Sequence, residues 1–202
     1  MRSAREAVRW HEVADIEALH HDAVGRVVAA SSRAIQARGR FHIVLAGGET
    51  PRGVYRMLRS AQTDWTAWSI YFGDERCLPP DDGARNSRMV ELAWLDHVTV
   101  PADHVHVIAG ELGAARAATA YAAGLQGVGD FDLVLLGLGE DGHTASLFPN
   151  HDWGARPDAP DVLAVLDAPK PPPERVSLSA ARLSRARAVL FLVTGESKRD
   201  AV

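Results

Sequence analysis

Three short apolar runs, each stopped by a glycine-bearing polar turn, constrain this chain more than any other feature. They are 41–46 (FHIVLA) before Gly47-Gly48, 68–72 (WSIYF) before Gly73-Asp74, and 131–136 (FDLVLL) before Gly137. Runs this continuous leave no polar face, so they read as strands buried on both sides, the habit of parallel sheets. Helical patterns separate them. Val13, Ile16, Leu19, Val24, Val27, Val28 and Ile35 recur at helical spacing up to Gly39, and Pro51 opens a second helix that continues to Leu58. Further helices are expected over 86–95 and 112–125, with short strands at 104–108 and 188–193. Strand and helix in alternation predict an α/β fold: a mostly parallel, Rossmann-like sheet with helices on both faces. One domain over 1–202 is expected, since domains usually run to about 100–200 residues. Residues 150–173 are broken by prolines and read as a long excursion holding one strand, 162–166. Residues 196–202 read as the first turns of a helix.

Composition narrows the function classes. The 202 residues carry 22 Lys+Arg against 26 Asp+Glu, a net charge of −4, which argues against a general nucleic-acid binder. The single cysteine, Cys77, excludes an internal disulfide and a zinc site built from cysteines, and it reads as a packed thiol. The first eleven residues lack the apolar stretch of a leader, and no run reaches the roughly 18 apolar residues of a membrane span. A cytoplasmic protein without a membrane partner is expected.

In open α/β sheets ligands bind beyond the carboxyl ends of the strands, so the three turns are where chemistry is sought. Gly137-Leu138-Gly139-Glu140-Asp141-Gly142 matches the dinucleotide pattern G-x-G-x-x-G, but only six residues separate it from Pro149 where that motif needs a long helix. The glycines either make a tight turn only, or present Asp141 and His143 at the strand end. A histidine that is largely neutral at pH 7, with a carboxylate two residues away, has the base-plus-orienter form of hydrolases. The plain alternative is a turn histidine paired with a local Asp. Gly73-Asp74-Glu75-Arg76 offers Arg76 for an anion or oxyanion and Asp74 or Glu75 for substrate hydroxyls, or else is a surface ion cluster. The Gly47-Gly48-Glu49-Thr50-Pro51 turn puts backbone N–H groups and a helix start where an anion could bind, with the Thr50 hydroxyl beside them. It lacks the lysine of a Walker P-loop, and nothing else in the sequence requires a metal.

Taken together, LAGGETPRGVY (45–55), FGDERCLPPDDGARNSRM (72–89), LLGLGEDGHTASLFP (135–149), APKPPPERVSLS (168–179) and VTGESK (193–198) resemble the 6-phosphogluconolactonase family, in its order and across nearly the whole chain. The related glucosamine-6-phosphate isomerase/deaminase branch shares D-G-H but continues differently. The resemblance implies hydrolysis of 6-phospho-D-glucono-1,5-lactone, a phosphorylated sugar lactone, in the oxidative pentose phosphate pathway, by a monomer with no cofactor and no metal. It implies His143 as the base that activates water, Asp141 as its orienter, Arg76 as the charge stabiliser and Asp74 on sugar hydroxyls. The substrate phosphate would lie on Gly48, Glu49 and Thr50, with Arg175 and Lys198 as cationic partners. At one position the chain departs from the family, carrying Glu49 where members usually have Ser, so the backbone and Thr50 are expected to do more there than Glu49. Members usually continue for about another helix, strand and helix past Lys198, so the chain is expected to be short at its C-terminus. The rival readings are the isomerase/deaminase, a nicotinamide-dependent dehydrogenase on the Gly137–Gly142 turn, and a non-catalytic sugar-phosphate binder.

Overall fold

The computed structural model describes residues 8–202; residues 1–7, part of the stretch read above for a leader, lie outside the described residues. Five strands, β1 (Phe41–Leu45), β2 (Trp68–Phe72), β4 (Val105–His106), β5 (Leu133–Gly137) and β8 (Val189–Leu192), form a parallel sheet in the spatial order β4-β2-β1-β5-β8. The expected α/β architecture is therefore present. From β1 the chain moves outward to β2 and β4, then returns to the other side of β1 as β5. That reversal puts the topological switch between β1 and β5, the position beyond whose carboxyl edge open α/β sheets bind ligands.

Side-chain alternation sorts the two faces. Trp68 of β2 meets Phe41, Trp65 and Trp94, and Trp94 stacks on Tyr55. This aromatic layer lies under α1 (Ile16–Arg38), α2 (Glu49–Leu58) and α3 (Asn86–Ala93). α1 buries Ala23, Val27, Ser31 and Ala34 along one stripe, starts on the Asp15 side chain and stops at Gly39. Tyr71, three residues after Trp68 and so on the opposite face, packs against His106 and Phe131 on the side of α4 (Ala114–Gly124). Two buried tyrosines tie the layers to the strand ends. The Tyr55 hydroxyl of α2 accepts from Ala46 N and donates to Ala46 O, and the Tyr121 hydroxyl of α4 does the same with Phe72. Burial pushes both phenols up, so they remain neutral donors.

A second sheet was not expected. β3 (Asp74–Arg76), β7 (Arg175–Leu178) and β6 (Val162–Val165) pair antiparallel in the order β3-β7-β6. It turns the segment read as a polar turn into a strand and brings the end of the proline-broken excursion back to the carboxyl edge. The hydroxyl of Ser179 then caps a short helix, α5 (Ala180–Ser184). Residues Glu196–Ala201 form a 3₁₀ helix. Among the described residues no helix is long and apolar enough to cross a membrane.

Candidate active site

The turn after β5 is bound to itself. Gly139 N donates to His143 O at 2.7 Å, Gly142 N to Gly139 O at 3.1 Å, and the Thr144 hydroxyl returns to Gly137 O at 2.8 Å. Thr144 and Leu147 form an isolated bridge, and between them Ala145 sits at φ 49, a left-handed conformation that a non-glycine residue adopts at a cost of about 1–2 kcal/mol. No helix opens here, so the dinucleotide reading loses the context it needs. The product of the turn is a pair: His143 Nδ1 lies 2.5 Å from Asp141 Oδ1. With Nδ1–H donated to the carboxylate, Nε2 carries the free lone pair of the neutral ring. Burial, the largest influence on Asp141, raises its carboxyl. The hydrogen bond and charge of His143, and then the Lys170 ammonium, outweigh it and hold the group at about 2. The turn fits only because residue 139 has no side chain, since a Cβ there would lie 2.1 Å from His143 Nδ1 and 2.4 Å from Asp141 Oδ1.

The charged residues of β3 divide. Arg76 donates from Nη1 to Ala84 O. It stands directly opposite Arg175 in the β3–β7 ladder. Like charges in that relation repel. Arg175 is almost fully buried, 5.4 Å over the Phe148 ring, and burial, then Arg76, lowers its guanidinium. Its Nε donates to Pro172 O at 3.1 Å and its Nη2 to Lys170 O at 2.9 Å, so two of its three nitrogens are committed to the loop before β7.

The two acids of this segment serve the frame. Asp74 accepts from Asn86 Nδ2 at 3.0 Å and from the Ser146 hydroxyl at 2.6 Å, joining β3 to α3 and to the segment after β5. Glu75 corrects the reading that gave it substrate hydroxyls. It is 0% exposed, it accepts from the N–H groups of Arg76, Asn86 and Ser87, and it lies 3.5 Å from Arg85 Nε. A carboxylate consumed by the start of a helix has no lone pair facing solvent. Cys77 is half-buried; burial, then Glu174 and Glu75, pushes its thiol up to about 11, consistent with packing and not with a nucleophile.

The remaining predicted residues lie at the start of α2 and in the segment after β8. Gly48 precedes α2, and Thr50 Oγ1 lies 2.8 Å from Thr194 Oγ1, which draws the start of α2 to the turn after β8. Thr194 and Lys198 line a shallow depression of about 370 Å³ formed by residues 193–202, after β8. Gly47 must be glycine because the Asn86 amide occupies the place of a Cβ, 2.0 Å away. A Cβ at Gly137 would lie 3.9 Å from Gly47 O, so the turn after β5 and the turn before α2 adjoin. Glu49 points outward, 77% exposed, paired with Arg52. Lys170, which sequence reading left without a role, contacts the pair: its Nζ lies 3.4 Å from Asp141 Oδ2. Among the described residues no group of three or more His, Cys, Asp or Glu is arranged to hold a metal ion.

This geometry can be set beside known proteins. The family model described as glucosamine-6-phosphate isomerases/6-phosphogluconolactonase matches residues 14–202. The chain belongs to this family. It is 39% identical to a 6-phosphogluconolactonase of Mycobacterium leprae, over 88% of this chain and 77% of the relative. It superposes on the 6-phosphogluconolactonase of Thermotoga maritima with a TM-score of 0.84 at 28% identity, covering 90% of this chain and 83% of the other. For the Trypanosoma brucei enzyme the TM-score is 0.82 at 29% identity, covering 93% and 82%.

Proposed function

We propose that this chain hydrolyses 6-phospho-D-glucono-1,5-lactone to 6-phosphogluconate, with His143 as the base that activates the attacking water. The observation that carries the reading is the Asp141–His143 pair at the carboxyl end of β5. Family membership and the lactonase names of the relatives described above support the choice of reaction.

A lactone is an activated ester, so the enzyme must supply a base, charge stabilisation and positioning. His143 Nε2 takes a proton from water as its oxygen attacks C1, and Asp141 stabilises the imidazolium that forms. The carbonyl oxygen becomes an oxyanion, for which Arg76 is the candidate donor. Collapse of the tetrahedral intermediate breaks the C1–ring oxygen bond, and the imidazolium proton goes to the departing alkoxide, restoring the neutral ring. Asp74, held by Asn86 and Ser146, would offer its remaining lone pairs to a sugar hydroxyl. The phosphate lies at the far end of the crevice, on the backbone of Gly47 and Gly48, the Thr50 hydroxyl and Lys198. Arg175 fits this scheme chiefly as the clamp of the 170–172 loop, leaving Nη1 for an anion.

The test is acid release at fixed pH, with the lactone generated in place and wild type compared with His143→Ala against the uncatalysed background. Acceleration that the variant loses supports the reading. A folded wild type that does not accelerate hydrolysis, or that releases ammonia from glucosamine 6-phosphate, overturns it.

A further inference from the structure

Asp141 has two oxygens, and each has a different partner. Oδ1 takes the His143 ring at 2.5 Å, and Oδ2 faces the Lys170 ammonium at 3.4 Å. Lys170 comes from a segment 29 positions further along the chain, in a stretch of prolines that forms neither helix nor strand. The backbone there is not left to itself. The buried Arg175 guanidinium donates to Lys170 O at 2.9 Å, to Pro171 O at 3.3 Å and to Pro172 O at 3.1 Å, and Ala168 N closes the loop on Pro173 O at 3.0 Å. Arg175 packs over Phe148, whose ring lies 4.7 Å from that of His143. The side chain of Lys170 is thus delivered to Asp141 by a loop that the same buried frame holds.

On the reading that His143 is the base, we propose that Lys170 is a positioning residue of the reaction: its ammonium fixes the Asp141 carboxylate against the ring and sets how readily His143 sheds its proton. The first effect is geometric. A carboxylate held at both oxygens cannot rotate away from Nδ1, so Nε2 stays aimed at the water. The second is electrostatic. An ammonium on the far side of the carboxylate opposes the gain of a positive charge on the ring.

Other charged groups surround the ring. Arg76 on β3 stands opposite Arg175 on β7, Asp74 lies two residues before Arg76, and His151, paired with Asp167 at 3.6 Å, packs on Phe148. Of these groups Lys170 alone makes an ion pair with Asp141 among the described residues.

The test compares wild type, Lys170→Met and Lys170→Arg, reading kcat/KM and kcat against pH at low ionic strength, together with the pH titration of the His143 ring followed by NMR. In Lys170→Met the acid limb of kcat/KM and the ring titration both move to higher pH, by roughly half a pH unit for a partly exposed charge at this range. At the plateau kcat falls about three- to tenfold from the loosened Asp141, much less than for loss of the base itself. Lys170→Arg restores both. An acid limb and ring titration that coincide with wild type, or that move to lower pH, overturn the proposal, as does a plateau kcat equal to wild type. The ring titration does not depend on turnover. A wild type without lactonase activity would sink the functional reading, whereas an active wild type with an indifferent Lys170→Met would sink only this one.

Discussion

The two turns that meet at the switch point are built in opposite ways. The turn after β5 is a closed unit: its hydrogen bonds run from Gly139 to His143, from Thr144 to Gly137 and from Thr144 to Leu147, all within a dozen residues. The turn before α2 has no side-chain cap, and its link to the rest of the crevice is the Thr50–Thr194 contact, made across 144 positions of sequence. One is preorganised by local bonds. The other is open until distant segments converge on it. The chemical step benefits from the first kind of construction, because a base must be aimed before the substrate arrives. A phosphate tolerates the second, because its affinity comes from several weakly directional N–H groups and a cation. Changes in the β5 turn are therefore expected to act on kcat, and changes in the α2 turn on KM.

The largest effect should be His143→Ala, with kcat lower by about 10²–10⁴-fold and KM within a few-fold, measured by acid release. A KM that rises while kcat holds would break the comparison at its strongest point. Gly139→Ala sharpens it. The new methyl would occupy the place of His143 Nδ1, and the flexible ring rather than the backbone would give way. We expect kcat to fall by about 10²-fold, the cost of roughly 1 Å of misplacement, while thermal unfolding stays close to wild type. A variant that unfolds instead would show that the turn supports the fold more than the reaction.

These contrasts trace what the sequence made legible. β1, β2 and β5 could be read because a strand buried on both faces announces itself as an unbroken apolar run, and α1 because its stripe repeats at helical spacing. β3 could not. Asp74, Glu75 and Arg76 carry no strand pattern and are extended only because β7, a hundred residues later, pairs with them. The same distance hid the clamp of Arg175 on the 170–172 carbonyls, and with it the reason Lys170 reaches Asp141. Asp141 and His143 could be named because the turn that joins them is local. Glu75 was misread because a charged cluster at a strand end looks exposed until the N–H groups that bury it are located. Local chemistry is visible in a sequence; a partner supplied by topology is not.

The α2 turn supplies the smaller effects. Thr50→Val removes the hydroxyl that faces both Thr194 and the proposed phosphate position. KM for the phosphorylated lactone should rise about three- to tenfold with kcat unchanged, since one neutral hydrogen bond contributes roughly 0.5–1.5 kcal/mol. A fall in kcat of the same size would mean that the two turns are coupled and that the division drawn above is too sharp.

Glu49→Ser should be the smallest and most informative change. The Glu49 carboxylate lies at the start of α2, where the helix dipole favours it, yet it shares that end of the helix with the proposed phosphate position. Its 77% exposure and its pairing with Arg52 mean that most of its charge is already screened. Replacing it removes a weak repulsion and frees Arg52, so KM should fall by about twofold in low salt, and the difference should vanish as ionic strength shortens the Debye length to a few ångströms. The sign is what matters. A KM that rises instead would mean that the Glu49–Arg52 pair orders the first turn of α2, and that the open turn is held by more than Thr50 and Thr194.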